Sequence, residues 1–203
     1  RVINLSIGTS TPTSCDAGTQ AAVRAAWDKG VTPITAAGNS AFEASGSYPG
    51  NCYPTINVTA TGITGDIAPY ANFGDGVDFS APGGDAELAA VSPDGSEGMI
   101  VSTFNLGETT EGEPSYGLQE GTSMAAPVVA GVVALIYSAR SDLGSQDVYK
   151  ILLATVGEFK EGSYCAITAV RYSDDDPRPS YCGAGIVDAG RAVQYALSYK
   201  KSG

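Results

Sequence analysis

The sequence predicts an α/β domain with a doubly wound, mostly parallel sheet that carries helices on both faces. Short apolar segments rich in β-branched residues alternate with segments of helical periodicity, and glycines bound the apolar segments. Strands that are buried on both faces have such nearly continuous apolar sequences. With 43% apolar and 16% charged residues, the composition is that of a globular chain. We assign residues 1–203 to a single domain, because no repeat or second domain is visible.

The predicted elements follow in chain order. Residues 1–7 form a strand, and Asp16 caps a helix that extends to Lys29 and ends at Gly30. The acidic, glycine-rich segments 83–98 and 107–120 are interpreted as surface loops. Further strands are predicted at 31–37, 55–59, 77–81 and 99–104, and further helices at 146–155, capped by Ser145, and from Asp188 to about Tyr199.

An uncharged stretch begins at Gly121-Thr122-Ser123 and continues as an apolar run from Val128 to Tyr137. Its composition predicts a turn that leads into a buried helix, with Thr122 or Ser123 as the cap. Unpaired N–H groups and the helix dipole favour negative charge at such a helix start. A hydroxyl placed there would lie where a developing oxyanion is stabilised.

Charge and cysteine content narrow the possible partners and location. The net charge of -11 argues against a nucleic-acid partner, and no run approaches the roughly 18 apolar residues of a membrane span. Four cysteines allow two disulfides in three pairings. We predict Cys15–Cys52 and Cys165–Cys182, since each closes a local loop; four free, buried cysteines are the alternative. Disulfides favour a secreted, extracellular protein.

Four segments, in this order, resemble those of subtilisin-like serine proteases, the subtilases. They are Val2–Gly8 (VINLSIG), Thr35–Asn39 (TAAGN), Asn72–Gly74 together with Val77–Gly83 (VDFSAPG), and Gly121–Gly131 (GTSMAAPVVAG). Val128 stands where the family often has a histidine that is not the catalytic base. The resemblance covers nearly all of the chain but only part of the family's catalytic domain. It implies a subtilisin-like fold that is incomplete in this chain.

The same resemblance implies an active site. Ser123 would attack the peptide carbonyl, and the Asn39 amide with the Ser123 N–H would bind the oxyanion; from local sequence alone Asn39 is equally a turn residue. Ser47 would form the floor of the pocket for the substrate's P1 side chain, next to a cis Tyr48–Pro49 bond. A small floor suits a large P1 residue, while nearby Glu43 leaves a basic P1 open. The residues that would line the cleft are Ser6, Gly8, Ala36, Ala37 and Gly38.

The sequence contains no histidine. A serine hydroxyl needs a neighbouring base, and in subtilases the Asp and His segments precede the strand that Val2–Gly8 resembles. The resemblance therefore implies that residues 1–203 are the C-terminal part of the domain, with Arg1 at a boundary inside the fold. In one hypothesis a separate N-terminal chain or fragment supplies Asp and His, and the assembly cleaves peptide or protein substrates. In the other, the chain is a non-catalytic binding or structural subunit.

Some extracellular relatives bind calcium between the strands that match 54–61 and 77–81. The matching ligands here would be the carbonyl oxygens of Pro54 and Ile56 and the carboxylate of Asp78. The alternative is that Asp78 caps its own turn, and the sequence leaves the two open. No cofactor is expected for catalysis.

Overall fold

Four parallel strands form the central sheet of the computed structural model, which describes residues 1–89, 98–167 and 181–201. In spatial and chain order they are β1 (Val2–Leu5), β2 (Thr32–Ala36), β3 (Ile56–Thr61) and β4 (Phe79–Pro82). Every residue of β2 and β3 is buried, so both faces of the sheet centre are covered. The predicted α/β fold is therefore confirmed.

Helices connect and cover the strands. They are α1 (Ala17–Asp28), α2 (Ala86–Ala89), α3 (Thr122–Ala139), α4 (Ser145–Thr155), α5 (Tyr164–Ile167) and α6 (Ala189–Ser198). The predicted caps of α1 and α6 are confirmed, because Asp16 accepts from the N–H groups of Gly18 and Thr19 and Asp188 accepts from that of Arg191. Helix α4 is capped by Gly144, and the predicted cap Ser145 is instead its first residue.

Helix α3 packs against all four strands and against α6, and it forms the centre of the core. The predicted side-chain cap is wrong: Gly121 occupies the cap position, and Thr122 is the first helical residue. The prediction that no run approaches the length of a membrane span also needs correction. These 18 residues, with a mean hydropathy of 1.7, are long and apolar enough to cross a membrane. Their contacts with the sheet account for the same composition, since a core helix is apolar as well.

A two-stranded antiparallel hairpin precedes α3. It consists of β5 (Ile100–Asn105) and β6 (Pro114–Gln119). The prediction of a loop over 107–120 is therefore wrong for its second half, where exposed and half-buried residues alternate along β6. Residues 90–97 of the other predicted loop lie outside the described part of the chain.

Two disulfides close local loops of the chain, and the two edges of the sheet differ in whether they are covered. Both predicted disulfides are confirmed, with Cα separations of 5.3 Å for Cys15–Cys52 and 5.5 Å for Cys165–Cys182, and the Tyr48–Pro49 bond is cis. Backbone hydrogen bonds join Ser80 of β4 to Gly185 and Val187, so that edge is covered. The outer edge of β1 pairs with no strand among the described residues.

Candidate active site

Ser123 lies in the first turn of α3, next to the chain that leaves the carboxyl end of β1. The Ser123 hydroxyl donates to the Ser6 carbonyl oxygen at 3.3 Å, and the Ser6 hydroxyl donates to the Ser123 carbonyl oxygen at 2.8 Å. The Ser123 backbone N–H has no acceptor among the described residues. Ser123 thus offers a hydroxyl and an unused N–H at the positive end of an 18-residue helix.

Thr122 fixes the orientation of the Asn39 amide. Asn39 Oδ1 accepts from the Thr122 N–H at 2.9 Å and from the Thr122 hydroxyl at 2.7 Å. The same hydroxyl accepts from the Gly38 N–H at 3.1 Å. Because the oxygen of Asn39 is occupied twice, its Nδ2 faces away from Thr122, and it has no acceptor among the described residues. An exposed amide donor is thus held in one orientation beside the start of α3.

Gly121 leaves room between the two unused donors. A methyl group built on Gly121 would lie 3.1 Å from Asn39 Nδ2 and 3.6 Å from the Ser123 nitrogen. Its φ of 147° also disfavours any other residue. The Gly121 N–H donates to the Gly83 carbonyl oxygen at 2.8 Å, which anchors the turn. Both donors therefore border one small space that only glycine keeps open, as an oxyanion-binding site requires.

The residues predicted to line the cleft lie at different depths. Ser6 is half-buried and Gly8 is exposed, so their backbone is accessible beyond the end of β1. Ala36 and Ala37 are only 4% and 0% exposed, which puts them behind the surface of the site. Gly38 is half-buried, and both its N–H and its carbonyl bond to protein groups. The accessible backbone for an extended peptide is therefore that of Ser6 and Gly8.

The predicted pocket floor is buried and polar. Ser47 is 2% exposed, and its hydroxyl accepts from Asn72 Nδ2 at 2.8 Å. It also lies close to Gly38, where an added methyl group would approach the Ser47 hydroxyl to 3.6 Å. Glu43 instead accepts from the Asp75 N–H at 3.1 Å, so its carboxylate is engaged away from Ser47.

The residues proposed for calcium do not form a fitting donor set. One Asp78 oxygen accepts from the Asn57 N–H at 2.7 Å and the other from the Tyr149 hydroxyl at 3.0 Å. Burial raises the pKa of Asp78 to about 6, against the opposing effect of these two donors. Asp78 thus links β3 to α4 rather than capping its own turn, and no group of three acidic, histidine or cysteine side chains suited to a metal occurs in the described part of the chain. Calcium binding by Pro54, Ile56 and Asp78 stays a prediction without geometric support.

Two residues that shape the site are not identified by the sequence. The sequence indicates Thr122 only as a cap, and Asn72 only as part of the Asn-Phe-Gly motif. The partners of the Thr122 side chain lie 83 and 84 residues away, and those of the Asn72 side chain lie between 25 and 35 residues away. The sequence shows that both residues belong to recognisable motifs, but not which atoms they contact.

Comparison with known families gives a match over most of the chain. The profile of the subtilase family matches residues 1–185. An extracellular protease of Xanthomonas campestris is 39% identical over 197 residues, which is 97% of this chain and 29% of that protein. An extracellular basic protease of Dichelobacter nodosus is 31% identical over 201 residues, 97% of this chain and 28% of that protein.

Solved structures agree with this match. A protease from Pseudoalteromonas arctica superimposes with a TM-score of 0.79 at 37% identity, and the match covers 96% of this chain and 51% of that one. The chain therefore spans about half the length of this solved relative and less than a third of the two curated ones.

Proposed function

The chain belongs to the subtilase family, and from that premise we propose that it carries the nucleophile and the oxyanion site of a serine endopeptidase. The observation that carries the proposal is the pair of unused donors beside Ser123. The Asn39 amide is held outward by Thr122, and the Ser123 N–H points from the start of α3. Donors fixed in advance around a nucleophilic hydroxyl are what acyl transfer requires.

In the proposed reaction the Ser123 hydroxyl leaves its contact with the Ser6 carbonyl and attacks the carbonyl carbon of the substrate. Its proton passes to a base, the oxyanion binds between Asn39 Nδ2 and the Ser123 N–H, and the amine leaves after protonation. Water then attacks the acyl-enzyme in the same geometry. The substrate backbone is expected to lie along Ser6 and Gly8, with its P1 side chain directed toward Ser47.

The base and its aspartate must come from outside these 203 residues, since the sequence has no histidine. We propose that an Asp- and His-bearing N-terminal segment of the same catalytic domain, joined to this chain or separate from it, covers an open surface. This open surface consists of the unpaired edge of β1 and the outer face of α3. Residues of that face are uncharged and exposed: Pro127, Val128, Gly131, Ala134, Leu135 and Ser138. Exposed strand edges and exposed apolar patches are typical of surfaces that contact another protein segment.

We further propose that the protein is secreted and acts on extracellular peptides or proteins. Two disulfides in the chain and relatives named extracellular proteases support this location. Exposed glutamates of the hairpin (Glu108, Glu111, Glu113) give it an acidic edge, which favours basic groups in a substrate.

A fluorophosphonate probe tests the proposal, with denaturing intact mass as the readout. Purified material from the natural source should show the label on this chain at Ser123, together with a His-bearing segment in the same or a second chain. A Ser123→Ala variant should not be labelled. Absence of label in folded material that contains the His-bearing segment would refute the enzyme and favour the non-catalytic binding or structural subunit.

A further inference from the structure

Asn72 lies in the loop between β3 and β4 and is 0% exposed. Its own backbone is tied at both ends. The Asn72 N–H donates to the Gly38 carbonyl oxygen at 2.9 Å, and the Thr59 hydroxyl of β3 donates to the Asn72 carbonyl oxygen at 2.6 Å. The side chain is thus held at a fixed position relative to the sheet.

The Asn72 side chain makes four hydrogen bonds, the number that an amide with two donor and two acceptor positions can make. Its Oδ1 accepts from the backbone N–H groups of Ser40 at 2.9 Å and Phe42 at 3.3 Å. Its Nδ2 donates to the Ala37 carbonyl oxygen at 2.9 Å and to the Ser47 hydroxyl at 2.8 Å. Three of the four partners belong to residues 37–42, which we call the oxyanion loop, because Asn39 lies within it.

Gly38 reveals how closely the two segments approach. A methyl group on Gly38 would overlap the Asn72 amide nitrogen, and Gly38 has a φ of 107°. Glycine at 38 and asparagine at 72 are therefore complementary, because the Asn72 amide occupies the space that a side chain at position 38 would need. No polar atom of Asn72 bonds to Asn39 itself, so any effect on the Asn39 donor must pass through the loop backbone.

We infer that Asn72 is a positioning residue that sets the place of the Asn39 donor and couples it to the P1 pocket floor at Ser47. Thr122 orients the Asn39 amide group from α3, while Asn72 fixes the backbone that carries it. Both constraints are needed, since a displacement of about 1 Å at a reacting group can lower the rate about 100-fold. This inference rests on the proposed function for its kinetic consequence, but not for its structural one.

The kinetic test uses the complete protein with its His-bearing segment and counts active sites by fluorophosphonate titration. Asn72→Ser should lower kcat per titrated site by about 10- to 100-fold. In an Asn39→Ala background the same change should lower kcat less than about threefold, because the donor that Asn72 positions is gone. Asn57→Ser is the matched control, since Asn57 is 1% exposed and bonds through its side chain to Thr35 and Gly76, outside the oxyanion loop. It should destabilise the protein and leave kcat per active site unchanged.

If Asn72→Ser lowers kcat equally in the wild type and in the Asn39→Ala background, the inference is overturned, as it is if Asn72→Ser leaves kcat unchanged. If Asn72→Ser does not fold, Asn72→Asp, which retains the acceptor for Ser40 and Phe42, takes its place in the same cycle. A second readout does not depend on hydrolysis: amide hydrogen exchange at Ser40 and Phe42 should accelerate in Asn72→Ser, which loses the acceptor of both, and not in Asn57→Ser. A wild-type protein without hydrolysis would refute the proposed function, whereas unchanged exchange at these two amides would refute the role of Asn72.

Discussion

The oxyanion loop and the open surface of β1 and α3 meet near Ser123. The loop is held by hydrogen bonds within this chain, whereas the open surface is exposed. The loop is fixed by hydrogen bonds with Asn72 and with Thr122 of α3, and five of its six backbone N–H groups donate to protein acceptors. The open surface has a strand edge that pairs with no strand in the described part of the chain, and it has exposed apolar side chains, including Ile3 and Leu135 at 41% and 52% exposure.

This difference separates two requirements of serine catalysis. Transition-state binding depends on donors that must not move, and this chain supplies the hydrogen bonds of Thr122 and Asn72 that hold the Asn39 side chain and its loop. Proton transfer depends on a base, and the sequence offers no histidine for that role. Under the proposed function, the nucleophile side of the site is organised within this chain and the proposed His-bearing segment would supply the base at the open surface.

The largest effect is expected from replacement of the proposed nucleophile, Ser123. Ser123→Ala should lower kcat by about 10⁶-fold, a magnitude carried over from subtilisin itself, the family's type member. Ser198→Ala, an exposed serine at the end of α6, should leave kcat unchanged. Peptide hydrolysis by the complete protein measures both. A Ser123→Ala variant that keeps more than about a tenth of the activity would show that another residue attacks the substrate.

Removal of the outward donor should have the next largest effect. Asn39→Ala should lower kcat by about 10²- to 10³-fold with little change in KM, again on the scale measured in subtilisin, because in the proposed reaction Asn39 Nδ2 binds the oxyanion and not the ground-state substrate. Steady-state kinetics with one peptide substrate measures both constants. A rise in KM at constant kcat would instead make Asn39 a substrate-binding residue.

Two neighbouring residues of α3, Ile136 in the core and Leu135 on the open surface, should differ in how much their replacement by alanine lowers the free energy of unfolding. Ile136 is 0% exposed, so Ile136→Ala should lower the free energy of unfolding by about 2–5 kcal/mol with or without a partner segment. Leu135→Ala should cost less than about 1 kcal/mol in this chain alone and more in the complete protein, where the proposed His-bearing segment would cover it. Urea unfolding of both forms measures the difference. An equal cost of Leu135→Ala in the two forms would show that the outer face of α3 stays uncovered.

The open surface should also limit the solubility of this chain by itself. Leu135→Lys should shift the isolated chain from associated species toward monomer, because a charge on the exposed face opposes self-association. Leu197→Lys serves as the control, since Leu197 is similarly exposed at 62% on α6. Light scattering measures both. A monodisperse wild-type monomer would contradict the expectation.

The smallest expected effect concerns the amino end of the sheet, away from Ser123. The pKa of Asp78 is about 6 in the folded protein and 3.8 for an unperturbed group, so the folded state binds more protons between these values. The free energy of unfolding should therefore fall by about 1–3 kcal/mol as the pH rises from about 4 to about 7. Asp78→Asn should remove this dependence and Asp75→Asn, at an exposed site, should not. Urea unfolding at several pH values tests this, and a pH-independent wild type would contradict it.

Local sequence is sufficient to predict those elements whose structure depends on residues close to them in the chain. The four parallel strands, the caps Asp16 and Asp188 and the buried helix after Ser123 follow from periodicity and capping chemistry. The local disulfides follow from short loops. The wrong predictions are also local. Pro114 and Gly117 obscure the alternation of β6 and glutamates flank it, while Gly121 caps α3 by conformation rather than through a side chain.

The sequence by itself determined which residues form the family's motifs and that no histidine is present, because both depend only on residue identity. Tertiary structure decided how those residues act. Thr122 points Asn39 outward across 83 positions of sequence, Asn72 secures the oxyanion loop across about 30, and Asp78 meets Tyr149 across 71. Hydrogen bonds between such distant segments depend on how the strands and helices pack, and no local pattern encodes their partners.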